Sequence, residues 1–77
     1  MKMIISLSAN DDFSLDVGFV GGAKRKFNVA PLLTCEAFRP LADIEEFQKV
    51  RNFDYYVEWP CGADLSADTI YHTGKHI

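Results

Sequence analysis

Seventy-seven residues, 48% hydrophobic and 25% charged with a formal net charge of −3, describe one small globular domain spanning 1–77. The acidic balance counts against a general nucleic-acid binder, which normally carries a basic face. Two cysteines, Cys35 and Cys61, are too few for a disulfide-stapled secreted mini-protein. No apolar run reaches membrane-spanning length, and Met1-Lys2-Met3-Ile4-Ile5 turns polar too soon for a signal peptide. A cytoplasmic location with free thiols is the expectation. A chain of this length buries only roughly 60–65% of its unfolded surface, so its core is thin and self-association would support it.

Residues 2–8 read as a strand, followed by the turn signal Asn10-Asp11-Asp12. Phe13, Leu15, Val17 and Phe19 then alternate with polar or small residues, the period of a strand with one buried face. Gly21-Gly22 breaks it, and another strand follows through Val29. A two-residue Gly-Gly loop would place Phe19 opposite Lys24 and Val17 opposite Lys26, burying two ammonium groups beside the core. A three-residue loop Gly21-Gly22-Ala23, or a five-residue loop of the same parity, instead pairs Val17 with Phe27 and Leu15 with Val29. It sends Lys24 and Lys26 outward, and glycine supplies the positive φ such loops need.

Pro31 suits the first turn of a short helix or 3₁₀ turn carrying Leu32, Leu33 and Cys35, which Arg39-Pro40 should stop. Asp43 is a good N-cap for a second helix, with Glu46 placed for a capping box and Ile44, Phe47 and Val50 as its apolar face. Phe53, Tyr55, Val57 and Trp59 alternate as a further strand that Pro60 ends. Trp59-Pro60-Cys61-Gly62 fits a type I turn. It leads to a strand-to-helix corner where Ser66 caps a final helix, Ala67–Thr73, ended by Gly74. The order β-β-β-α-α-β-α predicts an α+β domain: a small, mainly antiparallel sheet with short helices packed on one face.

Several of these stretches together resemble a known family. They are Phe19-Val20-Gly21-Gly22, Val29-Ala30-Pro31-Leu32-Leu33, Phe38-Arg39-Pro40-Leu41-Ala42-Asp43 with Phe47 and Val50, and above all Trp59-Pro60-Cys61-Gly62-Ala63-Asp64-Leu65-Ser66 through Tyr71. In this order, over about residues 4–72, they are similar to the small bacterial family catalogued as domain of unknown function 2442. Cys61 stands where that pattern has asparagine, and Ala67 where it has proline. The resemblance implies no activity. It implies a small domain that in some members precedes a helix-turn-helix, and that in others lies beside a second small protein in a layout suggestive of toxin–antitoxin pairs. No DNA-reading domain is expected in this chain, so a link to transcription would pass through a partner.

The candidate chemistry is sparse. Asp64, Ser66, Asp68 and His72 have local structural tasks as cap, dipole partner or turn residue, and two ligands sharing a helix face are too few for a closed zinc site. His72 and His76 have helical spacing, but Gly74 separates them and the terminus is expected to fray. Cys61 with His72 lacks a recognisable oxyanion hole or orienting acid. Gly21-Gly22 joins strand to strand and so is no phosphate loop. Lysines on a hairpin edge discourage stray strand pairing, which accounts for Lys24 and Lys26. Tyr55, Tyr56 and Trp59 are the surface candidates for recognition; one of the adjacent tyrosines must point away from the core, and an outward Tyr56 is a candidate interface anchor.

The expectation is a non-enzymatic protein-interaction or regulatory module with no cofactor and no metal. Its partner is a protein or a second copy, in one half of a toxin–antitoxin-like pair, and not a membrane. Tyr56, Cys61, Asp64, Lys24 and Lys26 are its candidate contact residues. The alternative is small-ligand or nucleic-acid binding through Lys24-Arg25-Lys26.

Overall fold

The computed structural model describes residues 2–77 and has the predicted α+β character. Its strands form two antiparallel sheets where the sequence suggested one. The first holds β1 (Ile4–Ala9), β2 (Ser14–Phe19), β3 (Lys24–Asn28) and, at its far edge, β7 (Lys75–His76), in that order. The second holds β4 (Arg51–Asn52), β5 (Tyr56–Glu58) and β6 (Asp64–Ser66). Hydrogen bonds join the two sheets at Ile4. The Ile4 N–H donates to the Asp54 carbonyl, and the Asn52 amide donates to the Ile4 carbonyl at 3.0 Å. Val57 and Leu65 of the second sheet, with Trp59 just after β5, share a core with Ile4, Leu15, Val17 and Phe19 of the first.

Two hairpins are built alike. In one, the Phe19 N–H donates to the Ala23 carbonyl at 2.9 Å and the Gly22 N–H returns to the Phe19 carbonyl at 3.1 Å. In the other, Trp59 bonds Ala63 at 2.9 Å and Gly62 bonds Trp59 at 2.9 Å. Each has a buried aromatic, a three-residue loop whose last residue is glycine at φ 96°, and a closing alanine. The last loop position of such hairpins needs a left-handed residue.

That requirement corrects the expected register. A loop of Gly21-Gly22-Ala23 would force Ala23 to positive φ, against its Cβ. The loop is instead Val20-Gly21-Gly22, which pairs Arg25 with Val17 and Phe27 with Leu15. The pairing moves by two residues, so the faces are kept: Lys24 and Lys26 point outward, and Phe19 does not meet Lys24. Trp59–Ser66 is likewise a hairpin with its own strand β6, not a strand-to-helix corner.

The linking segment also differs from expectation. A 3₁₀ helix over Ala30–Thr34 has Pro31 in its first turn as predicted, but Pro40 does not stop the run. It lies inside a second 3₁₀ helix, Glu36–Ala42, where its carbonyl accepts the Asp43 N–H at 3.4 Å. Helix α1 is a single turn, Ile44–Phe47. The Asp43 carboxylate accepts the Glu45 N–H at 3.0 Å, whereas Glu46 is drawn away from a capping box by Lys49, 2.7 Å away.

The strand expected from Phe53 begins only at Tyr56. The Tyr55 N–H donates to the Phe53 carbonyl at 2.8 Å around Asp54, which has φ 69°, so a γ-turn places Phe53 and Tyr55 at an exposed hairpin tip.

Helix α2 spans Ala67–Thr73, as the Ser66 cap and Gly74 predict. The Ser66 hydroxyl accepts the Thr69 N–H at 3.1 Å. The chain end does not fray: Lys75 and His76 pair with Lys26 and Arg25. Gly74 allows this close approach, since a Cβ there would lie 2.6 Å from the Ile70 carbonyl oxygen and 3.1 Å from the Arg25 Cβ.

Candidate functional site

The basic run Lys24-Arg25-Lys26 is divided by strand alternation. Arg25 is only 6% exposed, on the core side of β3. Its Nε donates to the Tyr71 carbonyl at 3.0 Å, Nη1 to the Lys24 carbonyl at 2.8 Å, and the guanidinium carbon lies 4.2 Å from the Tyr71 ring centre. No carboxylate pairs with it among the described residues. The guanidinium is held by a carbonyl in the last turn of α2, where the helix dipole favours a cation. Strand alternation places Arg25 on the face opposite the two lysines, as found, but gives no sign that the end of α2 lies against that face.

Lys24 and Lys26 occupy the outer face of the first sheet, with Lys75 directly across from Lys26. Acid surrounds them: Asp16 is the cross-strand partner of Lys26, and Asp12 lies 4.0 Å from its Nζ. The Ser14 hydroxyl donates to Asp12 at 2.5 Å and so holds that carboxyl below its ordinary pKa, with Lys26 adding to the effect. Lys26, Lys75, Asp12, Ser14, Asn28 and Thr73 contribute to a cleft of about 390 Å³ that mixes donors and acceptors.

Cys61 sits exposed at the tip of the β5–β6 loop, as a free thiol. Asp64 is exposed in β6 beside its cross-strand partner Glu58. Its carboxylate makes no hydrogen bond among the described residues. His72 lies in α2 and His76 in β7, so their spacing is not that of one helix. Among the described residues no three histidine, cysteine or acidic side chains gather to hold a metal.

Tyr56 points outward as expected, 40% exposed, and stacks on Phe53 with ring centres 5.1 Å apart and planes 8° from parallel. Its surroundings form the main surface feature. Seven large apolar side chains are exposed among the described residues, and six of them belong to segments that adjoin the Ile4–Asp54 contact. Met3 and Ile5 flank Ile4; Phe53 and Tyr55 flank Asp54, its backbone partner; the Val20 N–H bonds the Met3 carbonyl; and Tyr56 stacks on Phe53. Trp59, by contrast, is fully buried, with its Nε1 donating to the Phe47 carbonyl at 2.7 Å. Of these residues Tyr55 and Tyr56 were surface candidates, but strand alternation favoured Tyr56 alone as the outward one, and the junction of the two sheets has no local signal.

The patch is bordered by Arg51 and Glu58, cross-strand partners on its face that form no ion pair with each other. No helix among the described residues is long and apolar enough to cross a membrane. No curated protein and no solved structure matches the chain. The model of a family of proteins of unknown function, DUF2442, matches residues 4–76, and the chain belongs to that family.

Proposed function

We propose that the protein is a non-enzymatic interaction module that binds another polypeptide through the face around the Ile4–Asp54 junction. The observation that carries this reading is the concentration there of Met3, Ile5, Val20, Phe53, Tyr55 and Tyr56. These groups are exposed at 37–60%, and exposed aromatic side chains grouped with aliphatic ones are favoured anchors of protein interfaces. Both cysteines are free and exposed, which suits the reducing cytoplasm. A regulatory, toxin–antitoxin-like pairing is the finer form of the proposal, and it rests on the family likeness.

Tagged wild type and an Ile5→Lys variant, passed through an extract of the source cells, test the reading. A defined protein retained by wild type and lost with the variant supports it. Equal retention by both refutes it.

A second reading, anion binding by the outer lysines, is favoured by Lys26 and Lys75 facing each other across β3 and β7. Asp12 and Asp16 weigh against it. Steeply salt-dependent oligonucleotide binding would support it over the first.

A further inference from the structure

We infer that the cleft lined by Lys26 of β3 and Lys75 of β7 binds a small organic molecule through one anionic oxygen group, a carboxylate or a phosphate monoester. The site is separate from the face around Ile4 and Asp54 and does not depend on the interaction reading.

Its volume, about 390 Å³, lies at the lower end of the range for small-molecule sites. The groups in it that remain uncommitted decide what it can take. The Ser14 hydroxyl donates to Asp12 at 2.5 Å and accepts from the Asn10 amide at 3.0 Å. The Thr73 hydroxyl donates to the Thr69 carbonyl at 2.6 Å. The Asn28 side-chain carbonyl accepts the Ala30 N–H at 3.1 Å. Each hydroxyl has thus committed its only proton, while the Asn28 amide keeps its donors and each lysine ammonium adds more. The uncommitted groups are therefore mostly donors, and Asp12 is the one carboxylate lining the cleft among the described residues.

The charges lean the same way. Lys26 and Lys75 are directly opposed across β3 and β7, an arrangement that repulsion between like charges disfavours. Asp12 stands 4.0 Å from the Lys26 Nζ, and no carboxylate pairs with Lys75 among the described residues. Asp16 faces Lys26 from β2, but it lines a neighbouring cleft together with Lys24. The lining residues thus set two ammonium groups against one carboxylate. An anionic oxygen group between Lys26 and Lys75 relieves their repulsion and accepts charge-assisted hydrogen bonds from both. A polyanion would bring further charges past Asp12 and Asp16, so the site suits a small ligand over a nucleic acid.

Inorganic phosphate and acetate, titrated separately into the isotope-labelled whole chain and followed by amide chemical shifts, test this. Chloride at the same ionic strength is the control. Saturable shifts centred on Ser14, Lys26, Asn28 and Lys75, absent with chloride, are expected with a dissociation constant of about 1–20 mM. The tighter-binding anion identifies the group. Lys75→Gln should weaken binding by about fivefold or more, and Asp12→Asn should strengthen it by a similar factor. Lys24→Gln, at the neighbouring cleft, should leave the affinity within about twofold. Opposite effects from removing a cation and removing an anion are a readout that a folding defect does not reproduce.

Shifts that chloride reproduces, or an affinity indifferent to both Lys75→Gln and Asp12→Asn, overturn the inference. So does a failure to saturate by about 50 mM of either anion. Steeply salt-dependent oligonucleotide binding at these residues, with neither small anion bound, also overturns it. None of these results bears on the pull-down that tests the interaction face.

Discussion

Replacing Arg25 tests whether a buried guanidinium can stabilise this fold without a carboxylate. In the variant Arg25→Met the side chain keeps a similar reach but loses its donors. The Tyr71 and Lys24 carbonyls then lose partners at 3.0 and 2.8 Å, and the cation 4.2 Å from the Tyr71 ring is removed. Each charge-assisted hydrogen bond contributes about 1.5–3 kcal/mol, and a partly desolvated cation–π contact about 1 kcal/mol. Against this stands the relief of a guanidinium that is 6% exposed, a desolvation cost of several kcal/mol. The balance is a destabilisation of about 2 kcal/mol. For a domain of this size that lowers the melting temperature by roughly 8–16 °C, with a similar loss in urea unfolding at unchanged m-value.

Arg25→Ala should cost more, because the aliphatic stem that packs beside Gly74 also goes. Arg25→Lys should cost about 1 kcal/mol, since charge remains but the fork does not. Hydrogen exchange adds a local readout: the Gly74 amide, bonded to the Ile70 carbonyl at 2.9 Å, should exchange faster in Arg25→Met than the β2 amides do. If Arg25→Met is neutral or stabilising, burial of the charge outweighs its bonds, and the proposed capping of α2 is refuted.

The matched loops give a paired test. Gly22→Ala and Gly62→Ala should each cost about 1 kcal/mol and agree with each other, since both glycines sit at φ 96° with open space around the position of a Cβ. Urea midpoints that differ strongly between the two would show that the hairpins are not equivalent. Gly74→Ala should cost more than either, because its Cβ meets backbone at 2.6 Å, and thermal melts should rank it last of the three. Trp59→Phe leaves the buried Phe47 carbonyl without its donor and removes volume from the core, so unfolding measurements should show a loss of about 2–3 kcal/mol. Asp12 titrates below its usual value in the folded state, so its contribution is present above the unfolded pKa and is lost as pH falls through the folded one. Asp12→Asn should therefore flatten the acid limb of the stability profile below about pH 4, leaving the neutral-pH limb parallel to wild type.

Local physics made much of the chain legible from its residues. Ser66 as cap, the helix over Ala67–Thr73, the Pro31 start, the Asp43 cap and the outward lysines all depend on interactions within a few positions, or on the two-residue period of a strand. The choice of which glycine takes the last loop position is also local. It would have been readable had the penalty on Ala23 been weighed against that on Gly22. The α+β class followed from the same alternation.

The rest came from contacts between distant parts of the chain. The γ-turn at Asp54 forms where the hairpin tip meets Ile4, fifty residues away in sequence, so no pattern over 53–59 shows that Phe53 and Tyr55 face water. Arg25 is a capping group only because α2 ends against β3, and β7 exists only because Gly74 lets the chain end lie beside that strand. The exposed patch has the same origin. Alternation tells each strand which side to bury, but which strands lie edge to edge, and so which outward side chains become neighbours, is settled by long-range closure around one shared core. The sequence by itself determined the elements, their caps and the identity of their faces. Tertiary structure decided that the segments bearing six scattered exposed apolar residues adjoin one another at Ile4 and Asp54.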